Sequence, residues 1–394
     1  MHMQERLRIH NFGPIKDVDI PDIRPLIVLI GDSGSGKSTI MKVLALFQWL
    51  YKMMCLRSYM KYAGVQRSAF RFRIDSLLRE NGMESFLQPD TKFEYRNGSV
   101  DIRYANRKLS GTIINVPKEE ISLEKVVFIS AKRNLIPDLY EGNAKIQKSM
   151  FYLDDTYQNY DLATSVIKQM NLDPLGVRFE VKRTSQGYKH FISSTSQVDN
   201  YSIRLKDASS GTQNLTPLSL VVEYYSQKYD LVASMNKSIL TYVSRGDRLM
   251  DFKPHTNLGD FPVKRVSLFI EEPELSLFPD AQLKLMDYLV DRCFVSHSSA
   301  YSMSLMVATH SPYIVNYLNV LISGNNRLDS VAEPIPSTSH EQTVCLPAED
   351  LAVYRVYDGE VQNLMLEDSI THERWVNSED LSEAMHDIQN RLNL

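Results

Sequence analysis

The stretch Gly31-Asp32-Ser33-Gly34-Ser35-Gly36-Lys37-Ser38-Thr39 carries the spacing G-x-x-x-x-G-K-[ST], the pattern of a loop that wraps a nucleotide phosphate. Its glycines let the backbone approach a phosphate closely, and a following helix N-terminus would offer free N–H groups and a positive dipole end. Lys37 is placed to reach the β- and γ-phosphates and Ser38 to ligate Mg²⁺, so the whole run from Gly31 through Thr39 reads as a cradle for a nucleoside triphosphate. A glycine-rich turn with a chance Gly-Lys-Ser is the bland alternative. Its flanks decide against that: Leu26–Ile30 is a short buried-strand run, and apolar residues recur at helical spacing from Ile40 onward.

Three later segments could complete such a site. Val266–Ile270 is a second buried-strand run, ending in Glu271-Glu272-Pro273-Glu274. Glu271 is placed to hold Mg²⁺, and Glu272 to polarise the water that attacks the γ-phosphate. Proline and acids also suit a first helical turn, and the same residues can do both jobs. A third strand, Ser304–Thr309, ends in His310-Ser311-Pro312, which puts His310 at a carboxyl strand end and makes it a γ-phosphate contact. Between loop and acids, Ser209-Ser210-Gly211-Thr212-Gln213 precedes an apolar helical stretch. Alone it is an ordinary helix cap.

In that order, the motifs resemble those of ABC-type ATPases of the SMC and RecF kind. More closely they resemble the compact bacterial branch that includes OLD-type and Septu-type defence ATPases, with Glu-Glu-Pro-Glu at 271–274 and His-Ser-Pro at 310–312. The opening Leu7–Ile15 and the strand Val126–Ile129 with its basic end, Lys132-Arg133, are similar too. The resemblance implies an α/β fold: an ABC-ATPase head with a mixed sheet flanked by helices, an antiparallel β lobe and a short inserted helical arm. It also implies that Ser210, Gly211 and Gln213 form a signature segment that binds the γ-phosphate held by a second subunit. Where family members carry histidines this chain has Ser276 and Phe278, with Asp280 as a substitute for the usual cross-subunit aspartate. The glutamine that joins the Mg²⁺ shell in relatives has no evident counterpart.

The elements that must position these residues divide the chain as follows. Residues 1–50 form the head's N-terminal part, 51–89 a basic helical arm, 90–140 the β lobe and 141–176 a second helical arm segment. Residues 177–325 carry the rest of the head, and 326–394 a C-terminal strand and an acidic helix, Ser378–Leu392. Asn97-Gly98 marks a hairpin between Phe93–Tyr95 and Val100–Tyr104. Stretch 226–262 reads as a linker, and a Pro/Ser-rich turn region spans 334–339. Neither arm sustains heptads, which excludes a long coiled coil.

Over 51–80, Lys52, Arg57, Lys61, Arg67, Arg71, Arg73 and Arg79 face only Asp75 and Glu80, with aromatic residues interleaved. That composition suits contact with a double-stranded DNA backbone, and equally a solvated face opposite an acidic subunit. A net charge of −4 exerts no global pull on nucleic acid. Three dispersed cysteines lack metal-ligand spacing, no apolar run approaches the ~20 residues of a membrane span, and the N-terminus is no signal peptide. A cytoplasmic, homo-oligomeric ATPase is expected. OLD-type proteins add a nuclease domain for which these 394 residues leave no room, so the expected effector, a nuclease or toxin, is a separate polypeptide in defence or DNA repair. The other reading is a scaffold that holds ATP without turnover.

Overall fold

The computed structural model describes residues 4–65, 73–111, 115–142, 151–185, 187–195, 201–244, 252–254, 256–328 and 344–378. One mixed sheet of 11 strands organises them. From one edge to the other the strands are Lys108–Gly111, Val100–Ala105, Leu87–Asn97, Glu5–Phe12, Ile15–Ile20, Glu360–Asn363, Leu351–Tyr357, Leu26–Ile30, Ser302–Thr309, Val263–Glu271 and Ser122–Ile129. The last five run parallel to one another. Leu26–Ile30 is buried at every residue, as a strand covered on both faces must be. The first five form an antiparallel lobe, where the alternation of Phe93, Tyr95, Val100, Ile102 and Tyr104 puts one face into the core.

Helix Lys37–Tyr62 springs directly from the phosphate loop. It contains no glycine or proline and is rich in Leu, Met and Lys. Apolar residues occupy nearly every face, so the helix can only be buried. Tyr51 Oη donates to the Glu120 carbonyl at 3.1 Å, Ser58 Oγ accepts from Val116 N–H at 2.8 Å, and Tyr59 Oη donates to the Thr256 carbonyl at 3.0 Å. By length and composition this helix could cross a membrane, but 72% of its apolar window is buried inside the protein.

Several expected boundaries shift. The segment 51–62 is not the start of a projecting arm but the second half of this core helix. Its described basic residues have different surroundings. Lys52 is half-buried beside Lys125 and Asp155, Lys61 donates to Asn115, Arg79 pairs with Glu84, and Arg73 stands exposed. Arg67 and Arg71 lie outside the described residues. The stretch 141–176 is helical over Phe151–Val166, but Gln169–Leu172 is a strand. It joins Val177–Thr184, Gly187–Ser194 and Ser202–Arg204 in a separate antiparallel sheet. The linker reading of 226–262 gives way to a helix, Leu231–Ser244, whose stripe Leu231, Met235, Ile239, Val243 is buried at intervals of four. Leu351–Tyr357 belongs to the middle of the main sheet, next to the phosphate-loop strand. The turn region 334–339 and nearly all of the acidic helix fall outside the described residues.

Candidate nucleotide site

Register brings the site together. Ile30 pairs with Thr309, so Gly31 and His310 leave the sheet side by side. Glu271 pairs with Ala308, and Ile270 with Ile129, which sets the acidic pair between His310 and Ser130. Four parallel strands thus deliver the loop, the histidine, the acids and Ser130–Arg133 to one rim, the carboxyl end where ligands of such sheets bind.

The phosphate loop itself is shaped for an anion. Gly34 and Gly36 adopt φ of 81° and 110°, and a Cβ on Gly36 would lie 2.4 Å from Ile15 Cδ1. A Cβ on Gly34 would meet open space, so φ alone demands glycine there. The helix that follows has no side-chain cap and no acid in its first turn. Its free N–H groups and dipole are therefore left to attract negative charge. Ser35 Oγ is buried with no hydrogen-bond partner among the described residues. This uncapped helix start and orphaned hydroxyl fit a nucleotide phosphate.

Lys37, Glu272 and His310, the three expected catalytic residues, stand in one chain of contacts. Lys37 Nζ donates to the carbonyls of Gly31 at 2.7 Å and Asp32 at 2.9 Å, and lies 3.4 Å from His310 Nδ1. An ammonium has no lone pair, so Nδ1 accepts and the histidine proton sits on Nε2. That nitrogen is 3.7 Å from Glu272 Oε1. Burial lowers the Lys37 pKa, opposed by the charges of Glu272, Glu274 and Asp32. The His310 main-chain N–H donates to Glu274 Oε1 at 2.7 Å, tying the histidine turn to the last acid of the Glu-Glu-Pro-Glu run. Ser311 accepts from Ile314 N–H as the cap of helix Pro312–Leu328 and donates to Gln282 Oε1 at 2.6 Å.

The expected metal ligands are less direct partners. Glu271 is buried, with Oε1 3.1 Å from Lys42 Nζ and Oε2 accepting from the Ala131 N–H at 3.2 Å. Ser38 is half-buried on the first turn of the same helix as Lys42. Among the described residues no group of three or more His, Cys, Asp or Glu side chains could hold a metal. One carboxylate and one hydroxyl nevertheless suit Mg²⁺, which takes its remaining ligands from phosphate and water.

Ser210, Gly211 and Gln213 stand elsewhere. They open helix Ser210–Glu223, whose N-cap Ser209 accepts from Thr212 N–H, and Gln213 Nε2 donates to the Lys206 carbonyl at 2.5 Å. A Cβ on Gly211 would lie 2.7 Å from the Ser276 carbonyl. Among the described residues no hydrogen bond or ion pair joins the three to 31–38. Ser209 and Ser210 are exposed, as are Phe278, at 75%, and Asp280.

Two residues gain functions that their sequence positions did not announce. Lys42 is the ion partner of Glu271, and its ammonium also lies 5.0 Å from the Tyr152 ring centre. Arg133 is fully buried and donates to five main-chain carbonyls: Asn214 at 3.0 Å, Ser130 at 3.3 Å, Glu271 at 2.7 Å, Glu272 at 2.6 Å and Pro273 at 3.4 Å. Its strand end, 130–133, holds Ser-Ala-Lys-Arg and no glutamine.

A model of the AAA ATPase domain family matches residues 52–315, a span holding the signature candidates, Glu271, Glu272 and His310. A comparison with curated proteins finds no match. Among solved structures, the SMC head domain from Thermotoga maritima is 13% identical, covering 93% of this chain and 100% of that one at a TM-score of 0.34. The SMC head with an extended coiled coil from Pyrococcus furiosus, solved bound to the C-terminal domain of ScpA, is 10% identical over 99% of both chains at 0.38. The recombination mediator protein RecF is 10% identical, over 92% of this chain and 100% of that one, at 0.35. Scores this low carry no weight of their own; the fold description rests on strand order and loop geometry.

Proposed function

We propose that this chain, which belongs to the AAA ATPase domain family, binds ATP with Mg²⁺ and hydrolyses it at the Lys37–His310–Glu272 rim. The convergence of those three side chains beside an uncapped helix N-terminus carries the reading. The main-chain groups from Gly31 to Thr39 cradle the phosphates, and Lys37 exchanges its loop carbonyls for phosphate oxygens. Glu272 orients and polarises the attacking water, and His310 contacts the γ-phosphate. Ser38 and, through water, Glu271 would hold Mg²⁺, whose part is to neutralise phosphate charge.

Ser210, Gly211 and Gln213 serve a second subunit. The absence of any hydrogen bond or ion pair between them and 31–38 among the described residues, with Ser209 and Ser210 exposed at a helix start, supports a head-to-head dimer in which each signature faces the partner's nucleotide. Closure and reopening of that dimer then act as a cytoplasmic switch on a separate effector, a nuclease or toxin, or on DNA, in antiphage defence or DNA repair. The partial burial of Lys52 and the pairing of Arg79 with Glu84 leave fewer free cations over the described part of 51–80, which favours a protein effector. In size measurements by light scattering, Glu272→Gln with Mg·ATP should double in mass while the nucleotide-free protein does not. A mass unchanged by ATP contradicts the dimer.

A second reading is a scaffold that holds ATP with almost no turnover. The absence of glutamine at 130–133 and the engagement of both Glu271 oxygens by Lys42 and Ala131 favour it. Turnover above background that is lost in Glu272→Gln removes it.

A further inference from the structure

In the sequence Arg133 is only the basic end of a strand, with no role assigned, yet it is fully buried at the site. A guanidinium has five N–H donors, and here Nε meets Asn214, Nη1 meets Ser130 and Glu271, and Nη2 meets Glu272 and Pro273, all through carbonyl oxygens. Three of those carbonyls are consecutive, so the main chain must curl around the arginine. At the centre of the curl Glu272 sits at φ 45°, a left-handed conformation that costs a non-glycine residue about 1–3 kcal/mol and survives only where neighbours enforce it. The fourth carbonyl, Asn214, lies in the first turn and a half of helix Ser210–Glu223. Gly211 of that helix lies close to the residues that follow the turn: a Cβ there would stand 2.7 Å from the Ser276 carbonyl.

We propose that Arg133 is the positioning residue of the catalytic turn: it fixes the backbone that aims Glu272 and ties that backbone to helix Ser210–Glu223. A shift of this helix on engaging a second nucleotide would move Glu272 in the same molecule, passed on through the Arg133 guanidinium. The inference rests on the ATPase reading for its kinetic consequence, but not for its structural one. Burial brings the Arg133 pKa down to about 10, which leaves the guanidinium charged at neutral pH.

The test compares wild type with Arg133→Lys, which keeps the charge but supplies three donors instead of five. Amide hydrogen exchange over 271–276 should accelerate at least about tenfold while 31–46 is unchanged, because opening of a turn tracks its local stability. Turnover should fall about 100-fold, the order that displacing a catalytic group by about 1 Å costs, with the Kd for Mg·ATP within about threefold of wild type. In a Glu272→Gln background the same substitution should lower residual turnover no further. Gly211→Ala, which presses a methyl on the Ser276 carbonyl while leaving Arg133 intact, should speed exchange over the same residues and serves if the lysine variant does not fold. Unchanged exchange over 271–276 in the folded variant overturns the proposal, as does an equal loss of turnover with and without Glu272. If wild type shows no turnover, the ATPase reading fails, and exchange still decides the role of Arg133.

Discussion

Glu272 occupies a backbone conformation that glycine would adopt freely, so its side chain is retained against local strain. Glu272→Gly should therefore be no less stable than wild type by more than about 1 kcal/mol in denaturant unfolding while losing turnover. A much larger loss of stability would show that the carboxylate holds the turn together. His190 gives a separate test, through pH. It is buried beside Tyr160, whose hydroxyl lies 2.5 Å from Nδ1, and burial, with Lys168 and Lys189 nearby, pulls its pKa down to about 4. The folded state then resists a proton that the unfolded state accepts at about 6.5, so stability falls as pH drops from about 6.5 toward 4 and levels off below. His190→Gln should remove about 3 kcal/mol of that acid sensitivity; an unchanged pH profile counts against it. At this scale the phosphate loop, the acidic pair and His310 were legible because type and spacing encode them. Arg133 and Lys42 were not, because what defines them is carbonyls and a carboxylate from distant segments, which no local spacing records.

The helix that the phosphate loop initiates can be perturbed without touching a nucleotide contact. Phe47, on the helix that the loop initiates, is fully buried among Phe93 and Tyr95 of the antiparallel lobe, with ring centres 5.6 and 5.7 Å away. Phe47→Ala should cost about 3–5 kcal/mol by thermal or denaturant unfolding, the range for a large aromatic removed from a core. A cost under about 1 kcal/mol would mean that helix and lobe are not packed as described. The strands of the site were readable from their apolar runs, and the hairpin from Asn97-Gly98. The reading of 51–62 as part of a projecting arm followed its helical pattern and the resemblance, neither of which says whether a helix projects or is buried. Apolar residues on nearly every face of 37–62 were the better signal, since such a helix has little side to give to water. Helix Leu231–Ser244 escaped notice because its stripe is only one residue wide per turn.

Across the whole molecule, the main sheet joins an antiparallel lobe to five parallel strands whose carboxyl ends share one rim, and helix Ser210–Glu223 starts at exposed serines. The placement of Leu351–Tyr357 beside the loop strand could not be foreseen, because parallel pairing across more than three hundred residues leaves no mark in either segment. An account in which Lys37, His310 and Glu272 act on one γ-phosphate is tested most directly by Mg·ATP turnover of wild type and Glu272→Gln, with ATP affinity measured on both. It predicts measurable turnover in wild type, a loss of at least about 100-fold in the variant and an affinity within about threefold, the pattern of a group that acts in the transition state alone. Equal turnover in the two proteins, or turnover and affinity lost together, would contradict it.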